Sequence, residues 1–110
     1  MHLDLSTRPL GDRAIVAVAG EVDLETASEL GEHALEALHH VSPRIVLDIT
    51  DVTFMDSTGL KVLVSVERRA QLAGGSFVLV GATPTVLRIL TLTGLDQVFT
   101  LHGSLEDLGD

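Results

Sequence analysis

The sequence predicts one α/β domain over residues 1–110, a mixed and mostly parallel sheet with helices packed on it in the order ββαβαβαβ, closed by a short final helix. Three observations carry that reading. A short alternating segment and a second, apolar segment, joined by a Pro-Gly-Asp turn, open the chain as a hairpin. Two nearly continuous apolar runs, at 44–49 and 76–80, are too short for helices and read as buried strands. Between these strands lie segments with helical spacing and their own start and stop signals.

In order, Leu3 and Leu5 alternate with His2, Asp4 and Ser6, a strand with one wet face. Arg8, Pro9, Gly11 and Asp12 signal the turn, and residues 14–19 form a better-buried second strand. The short connection makes this pair antiparallel. Gly20 ends the strand, and Asp23 or a neighbour caps a helix whose first turn gains Glu25 at the positive end of the dipole. Ala27, Leu30, Ala34, Leu38 and Val41 make its apolar stripe, widened by Leu35, and Ser42-Pro43 stops it.

The third strand is expected at 44–49, followed by an acidic, hydroxyl-rich loop that holds Asp51 and Asp56. A second helix runs from Ser57 or Thr58 to Ala73, where Gly74-Gly75 supplies a left-handed cap. Its wet side carries Lys61, Ser65 and Arg68, while Leu60, Val62, Leu63, Val64 and Val66 exceed one core-facing stripe. Residues 76–80 form the fourth strand. Thr83 as N-cap and Pro84 at the first helical position start a third helix that Thr93-Gly94 closes. Residues 98–101 read as a last strand, and Ser104 as the cap of a short terminal helix that ends in Asp107 and Asp110.

Composition narrows the function. The chain has no cysteine, which removes disulfides, thiolate metal sites and thiol nucleophiles. Its net charge of −9, from 16 acids against 7 Lys plus Arg, opposes binding to nucleic acid or to an anionic membrane surface and favours a basic protein partner. Met1–Asp4 has no basic leader followed by an apolar run, and no apolar run is long enough to span a bilayer, so a cytoplasmic protein is expected. Glycine-rich nucleotide loops and nucleophile elbows are missing, so no enzyme and no cofactor is expected. His33, His39 and His40 lack a clear third ligand and read as solvated residues near a helix C-terminus, not as a metal site. A receiver domain phosphorylated on Asp51 or Asp56 would want a lysine after a late strand, but the one lysine, Lys61, lies on the second helix.

Attention therefore falls on Ser57, where loop becomes helix. A hydroxyl there can cap the helix or be modified. Asp56 precedes it, it follows the carboxyl end of a buried strand, and surplus apolar residues lie beside it. Gly20-Glu21-Val22-Asp23, the strand Ile45-Val46-Leu47-Asp48 and above all Asp56-Ser57-Thr58-Gly59-Leu60 resemble the STAS domain of bacterial anti-sigma-factor antagonists. The resemblance covers essentially the whole chain and implies a STAS-type fold. It implies phosphorylation of Ser57, with Thr58 as the fallback site, by an anti-sigma factor that is also a serine kinase, and reversal by a PP2C-type phosphatase. Asp23, Asp56, Ser57, Thr58, Gly59, Leu60 and Lys61 are the expected partner-binding set. The alternative is a STAS interaction or scaffold module, in a stress-sensing or transport complex, without a phospho-switch.

Overall fold

The computed structural model describes residues 3–109, so His2 of the expected first strand and Asp110 of the expected last helix lie outside the described residues. Five strands form one sheet in the order β1-β2-β3-β4-β5, which is also their order in the chain. They are β1 (Asp4–Leu10), β2 (Arg13–Val22), β3 (Arg44–Met55), β4 (Ser76–Val80) and β5 (Thr100–His102). The first pair is antiparallel and the other three are parallel, as expected of a hairpin followed by βαβ units. Consecutive crossovers of one hand put α1 (Ala27–His40), α2 (Ser57–Leu72) and α3 (Pro84–Thr93) on the same face. The main core accordingly joins Leu30, Leu63 and Leu90 of the helices to Val16, Leu47 and Leu79 of the strands. On the other face a small cluster of Ile15, Val46 and Val80 sits under Leu105 and Leu108 of a terminal 3-10 turn, so that face is covered only in part.

Each helix begins and ends on residues suited to it. Thr83 accepts the Val86 N–H at 3.3 Å, with Pro84 next to it, and Gly94 at φ +78° ends α3. At the end of α2 the Gly75 N–H reaches the Ala70 carbonyl and the Gly74 N–H the Gln71 carbonyl, the paired bonds of a Schellman motif.

Four expectations need correction. The first turn is only Gly11-Asp12; β1 continues through Arg8, Pro9 and Leu10 because an edge strand tolerates a proline that would break a central one. Val41 is exposed, and Ala37 takes its place in the buried stripe of α1. The last strand starts at Thr100, two residues later than expected; Phe99 instead packs its ring on Phe77 at 5.6 Å. The largest correction concerns the expected acidic loop, which is strand as far as Met55. Pairing with β2 slips by one residue between Asp48 and Asp51 and again between Val52 and Phe54, so β3 carries two bulges. The Asp48 carboxylate stabilises the first by accepting both the Thr50 N–H at 3.1 Å and its hydroxyl at 2.6 Å. Each bulge adds a residue, so Ile49, Val52 and Met55, three apart in sequence, all point into the core.

Leu63 is fully buried at the centre of α2. Leu63→Ala is expected to cost ~2–5 kcal/mol, read as a lower urea midpoint with an unchanged slope. A loss below about 1 kcal/mol would mean that α2 is not packed as described.

Candidate functional site

The parallel register that ends at Val22 and Met55 delivers Asp23 and Asp56 to one end of the sheet. Beyond β2 lies Asp23. Its Oδ1 accepts the Glu25 N–H at 2.9 Å and the Thr26 N–H at 3.2 Å, while the Thr26 hydroxyl accepts the Asp23 N–H at 3.0 Å. These reciprocal bonds resemble a capping box but close the turn 23–26 ahead of α1; the N-cap of α1 itself is Thr26, which makes no side-chain capping bond, so Asp23 fixes the turn and does not cap the helix. Thr26 also donates its hydroxyl to the Glu21 carbonyl at 2.7 Å, which satisfies a side chain only 1% exposed. Sequence reading passed over Thr26; the Asp-x-x-Thr spacing was the signal available.

Beyond β3 lies Asp56. Its N–H bonds the Val22 carbonyl at 3.2 Å, which ties it to the end of β2. Its Oδ1 accepts the Thr58 N–H at 2.9 Å and the Gly59 N–H at 3.2 Å. Asp56 is thus the N-cap of α2, and Ser57 is the first helical residue rather than the cap. Ser57 therefore does not cap α2. Its side chain is exposed, and the hydroxyl has no partner among the described residues. Thr58, the fallback, is half-buried.

Gly59 explains how α2 comes so close to the sheet. A Cβ built there would lie 2.8 Å from side-chain carbons of both Val22 and Met55, each buried. Leu60 is only 5% exposed and belongs mainly to the core, whereas Lys61 is exposed one turn beyond Ser57. Ser57, Leu60, Lys61 and Val64 line one wall of an open groove of about 360 Å³, with Thr93 and Leu95 opposite. Sequence reading missed those last two, which come from the last residue of α3 and from the 3-10 turn Leu95–Gln97 just after it. Of the surplus apolar residues on α2, Val62 is used against α1, where a Cβ on Gly31 would meet it at 3.3 Å; Val64 faces the groove.

A family model described as "Mlab, STAS domain" matches residues 5–105. The chain belongs to the STAS domain family. This STAS domain is 37% identical to the anti-sigma-B factor antagonist of Listeria monocytogenes over 92 residues, 82% of this chain and 79% of that protein. It is 32% identical to the anti-sigma-F factor antagonist RsfB of Mycobacterium tuberculosis, over 86% of this chain and 76% of that one. The crystal structure of an anti-sigma factor antagonist from Mycobacterium paratuberculosis superposes with a TM-score of 0.86 at 30% identity, covering 96% of this chain and 89% of that one. These names are those of regulatory binding proteins rather than enzymes, in line with the sequence reading. No helix among the described residues is long and apolar enough to cross a membrane. His33, considered above as a metal ligand, has its Nε2 2.6 Å from the Thr7 hydroxyl and joins α1 to β1.

Asp56→Ala should cost ~1 kcal/mol through loss of the cap, with Asp56→Ser keeping most of the stability. Ser57→Ala should be neutral in the same urea titration. The reverse order would place the cap on Ser57. Gly59→Ala is expected to cost ~1–3 kcal/mol by overpacking, and less in a Val22→Ala background, where room has been made for the new methyl. Equal costs in both backgrounds would show that Val22 does not limit the approach of α2.

Proposed function

We propose that this STAS domain is an anti-sigma-factor antagonist, acting in the cytoplasm, whose docking on an anti-sigma factor is controlled by phosphorylation of Ser57. The observation that carries the reading is the exposed Ser57 hydroxyl, left without structural duty because Asp56 makes the cap. The names of the relatives supply the class of partner.

The unmodified protein presents exposed Ser57 and Lys61 and half-buried Asp23, Asp56 and Thr58 at one end of the sheet, backed by buried Gly59 and Leu60, with the neighbouring groove as the apolar part of the contact. The partner both binds this end and, as a serine kinase, transfers phosphate to Ser57; a PP2C-type phosphatase removes it. Docking of the unmodified form displaces the sigma factor. Phosphate adds about −1.5 to −2 charges at a helix start that can hold it without unfolding. The carboxylates of Asp56 and Asp23 at the same end of the sheet make a local negative field, so the modified face is repelled by any acidic group placed to meet the neutral serine. A clash of ~3 kcal/mol weakens binding about a hundredfold.

The test uses the cognate anti-sigma kinase. With ATP it should add one phosphate to the wild-type protein and none to Ser57→Ala, while Thr58→Ala is still modified. Ser57→Glu should bind the kinase about a hundredfold more weakly than Ser57→Ala by calorimetry. Phosphorylation that survives Ser57→Ala would move the site to Thr58. A protein that binds a scaffold or transporter and no such kinase would be a docking module without the switch.

A further inference from the structure

The outer edge of β1 is a second surface, remote from Ser57. β1 is the first strand of the sheet, and no strand among the described residues pairs with its outer side. The two-residue loop Gly11-Asp12 fixes which backbone groups face outward. Leu10 and Arg13 flank that loop, and Gly11 has φ +61° as the first residue of a type II′ turn requires. The flanking pair in such a hairpin is hydrogen-bonded, so Leu10, Arg8, Ser6 and Asp4 spend their N–H and C=O groups on β2. Leu5, Thr7 and Pro9 turn theirs outward. Pro9, which has no N–H, thus sits where no bond to β2 is lost.

The side chains alternate. Leu5 and Thr7 are half-buried, Thr7 against His33 of α1. Asp4, Ser6 and Arg8 are exposed and therefore lie on the opposite face. Neither Asp4 nor Arg8 has an ion-pair partner; among the described residues the one ion pair joins Asp12 to Arg44.

We propose that this edge pairs antiparallel with the same edge of a second copy of the chain, about a two-fold axis at Ser6. In that register Leu5 faces the partner's Thr7 and Thr7 faces the partner's Leu5. Both pairs have outward-pointing groups, so each exchanges two backbone hydrogen bonds. Asp4 then stands opposite the partner's Arg8, and Arg8 opposite the partner's Asp4, in the closer non-hydrogen-bonded positions. Sliding by two residues one way brings Pro9 into a bonded pair with the partner's Leu5, where a donor is missing, and leaves Asp4 opposite the partner's Leu10. Sliding the other way sets Arg8 opposite a residue outside the strand. The two-fold at Ser6 sets Pro9 opposite the partner's Leu3, a residue just before β1, so no bonded pair within the two strands lacks a donor and both charged pairs face each other.

The pairing is isologous and closes on itself. The other edge of the sheet, β5, has three residues, too short a template for growth into a filament. A net charge of −9 on each copy and a small contact area make the dimer weak and reversible. Ser57 follows β3, two strands in from this edge, and stays open on both copies.

Sedimentation equilibrium of the full chain, from micromolar to millimolar concentration, tests the proposal. Wild-type protein should show a monomer–dimer equilibrium. Asp4→Arg alone and Arg8→Asp alone should each weaken it at least tenfold, because like charges then face each other twice. An equimolar mixture of these two variants should associate as well as wild type, since every facing pair is again of opposite sign. Ser6→Cys gives the chain its one cysteine and places it about 4.5 Å in Cα distance from its symmetry mate, within disulfide reach. It should oxidise to a covalent dimer much faster than Ser65→Cys, whose cysteine is exposed on α2. A wild-type protein that stays monomeric throughout, with Ser6→Cys crosslinking no faster than Ser65→Cys, overturns the proposal. So does a dimer that both single charge variants leave unchanged, since another surface would then hold it.

Discussion

One residue fixes the end of the sheet from which α2 starts. Asp56 bonds backward through its N–H to the Val22 carbonyl and forward through its Oδ1 to the Thr58 and Gly59 N–H groups. The ends of β2 and β3 and the start of α2 therefore form one hydrogen-bonded unit. An acid is the right residue for that post, because it satisfies two orphan donors and lies at the positive end of the helix dipole. The packing follows from the same constraint. With α2 held at this angle, residue 59 meets Val22 and Met55 too closely for any side chain, and glycine is what the position accepts.

The consequence for function is a division of labour between neighbouring residues. Asp56 does the structural work, so Ser57 can change its charge without removing a cap. Asp23 is committed in the same way to the turn before α1, through the bonds it exchanges with Thr26. Each acid thus has a conformational role that keeps it in place and a charge that shapes the field around Ser57. The surface beside them is apolar in a limited stretch, where Leu60 and Val64 of α2 face Leu95 across a groove. In the proposed docking surface, charge at the rim and apolar contact in the groove are the complementary parts expected of a reversible interface.

Much of this was legible in the sequence, for reasons that can be assigned residue by residue. Thr83-Pro84, Gly74-Gly75 and Gly94 fix helix ends through local chemistry, and local chemistry is what sequence spacing reports. The order of elements followed from the same signals. Non-local effects stayed hidden. Ile49, Val52 and Met55 recur every third residue, a spacing that suits neither a regular strand nor a helix; two bulges, formed against β2, reconcile it with a strand. Pro9 looked like a turn because its place on an outer strand depends on the sheet order. Whether Ser57 was the cap stayed open because serine and aspartate compete for adjacent positions, and the backbone angles of Asp56, extended at φ −111° and ψ −170°, give the cap to Asp56. Thr93 and Leu95 reach the groove from thirty-odd residues downstream, which no local pattern reveals.

A phosphate on Ser57 should therefore alter the surface of the domain and leave its frame intact. Amide hydrogen exchange, followed by NMR on the unmodified and the phosphorylated protein, tests this directly. The account predicts that protection of the amides of Thr58, Gly59 and Leu60, and of the rest of α2, is kept on phosphorylation, with shift changes confined to the first turn and the adjoining end of β2. Loss of protection spreading along α2 would contradict it, because the modification would then act by undoing the helix start that Asp56 is said to secure.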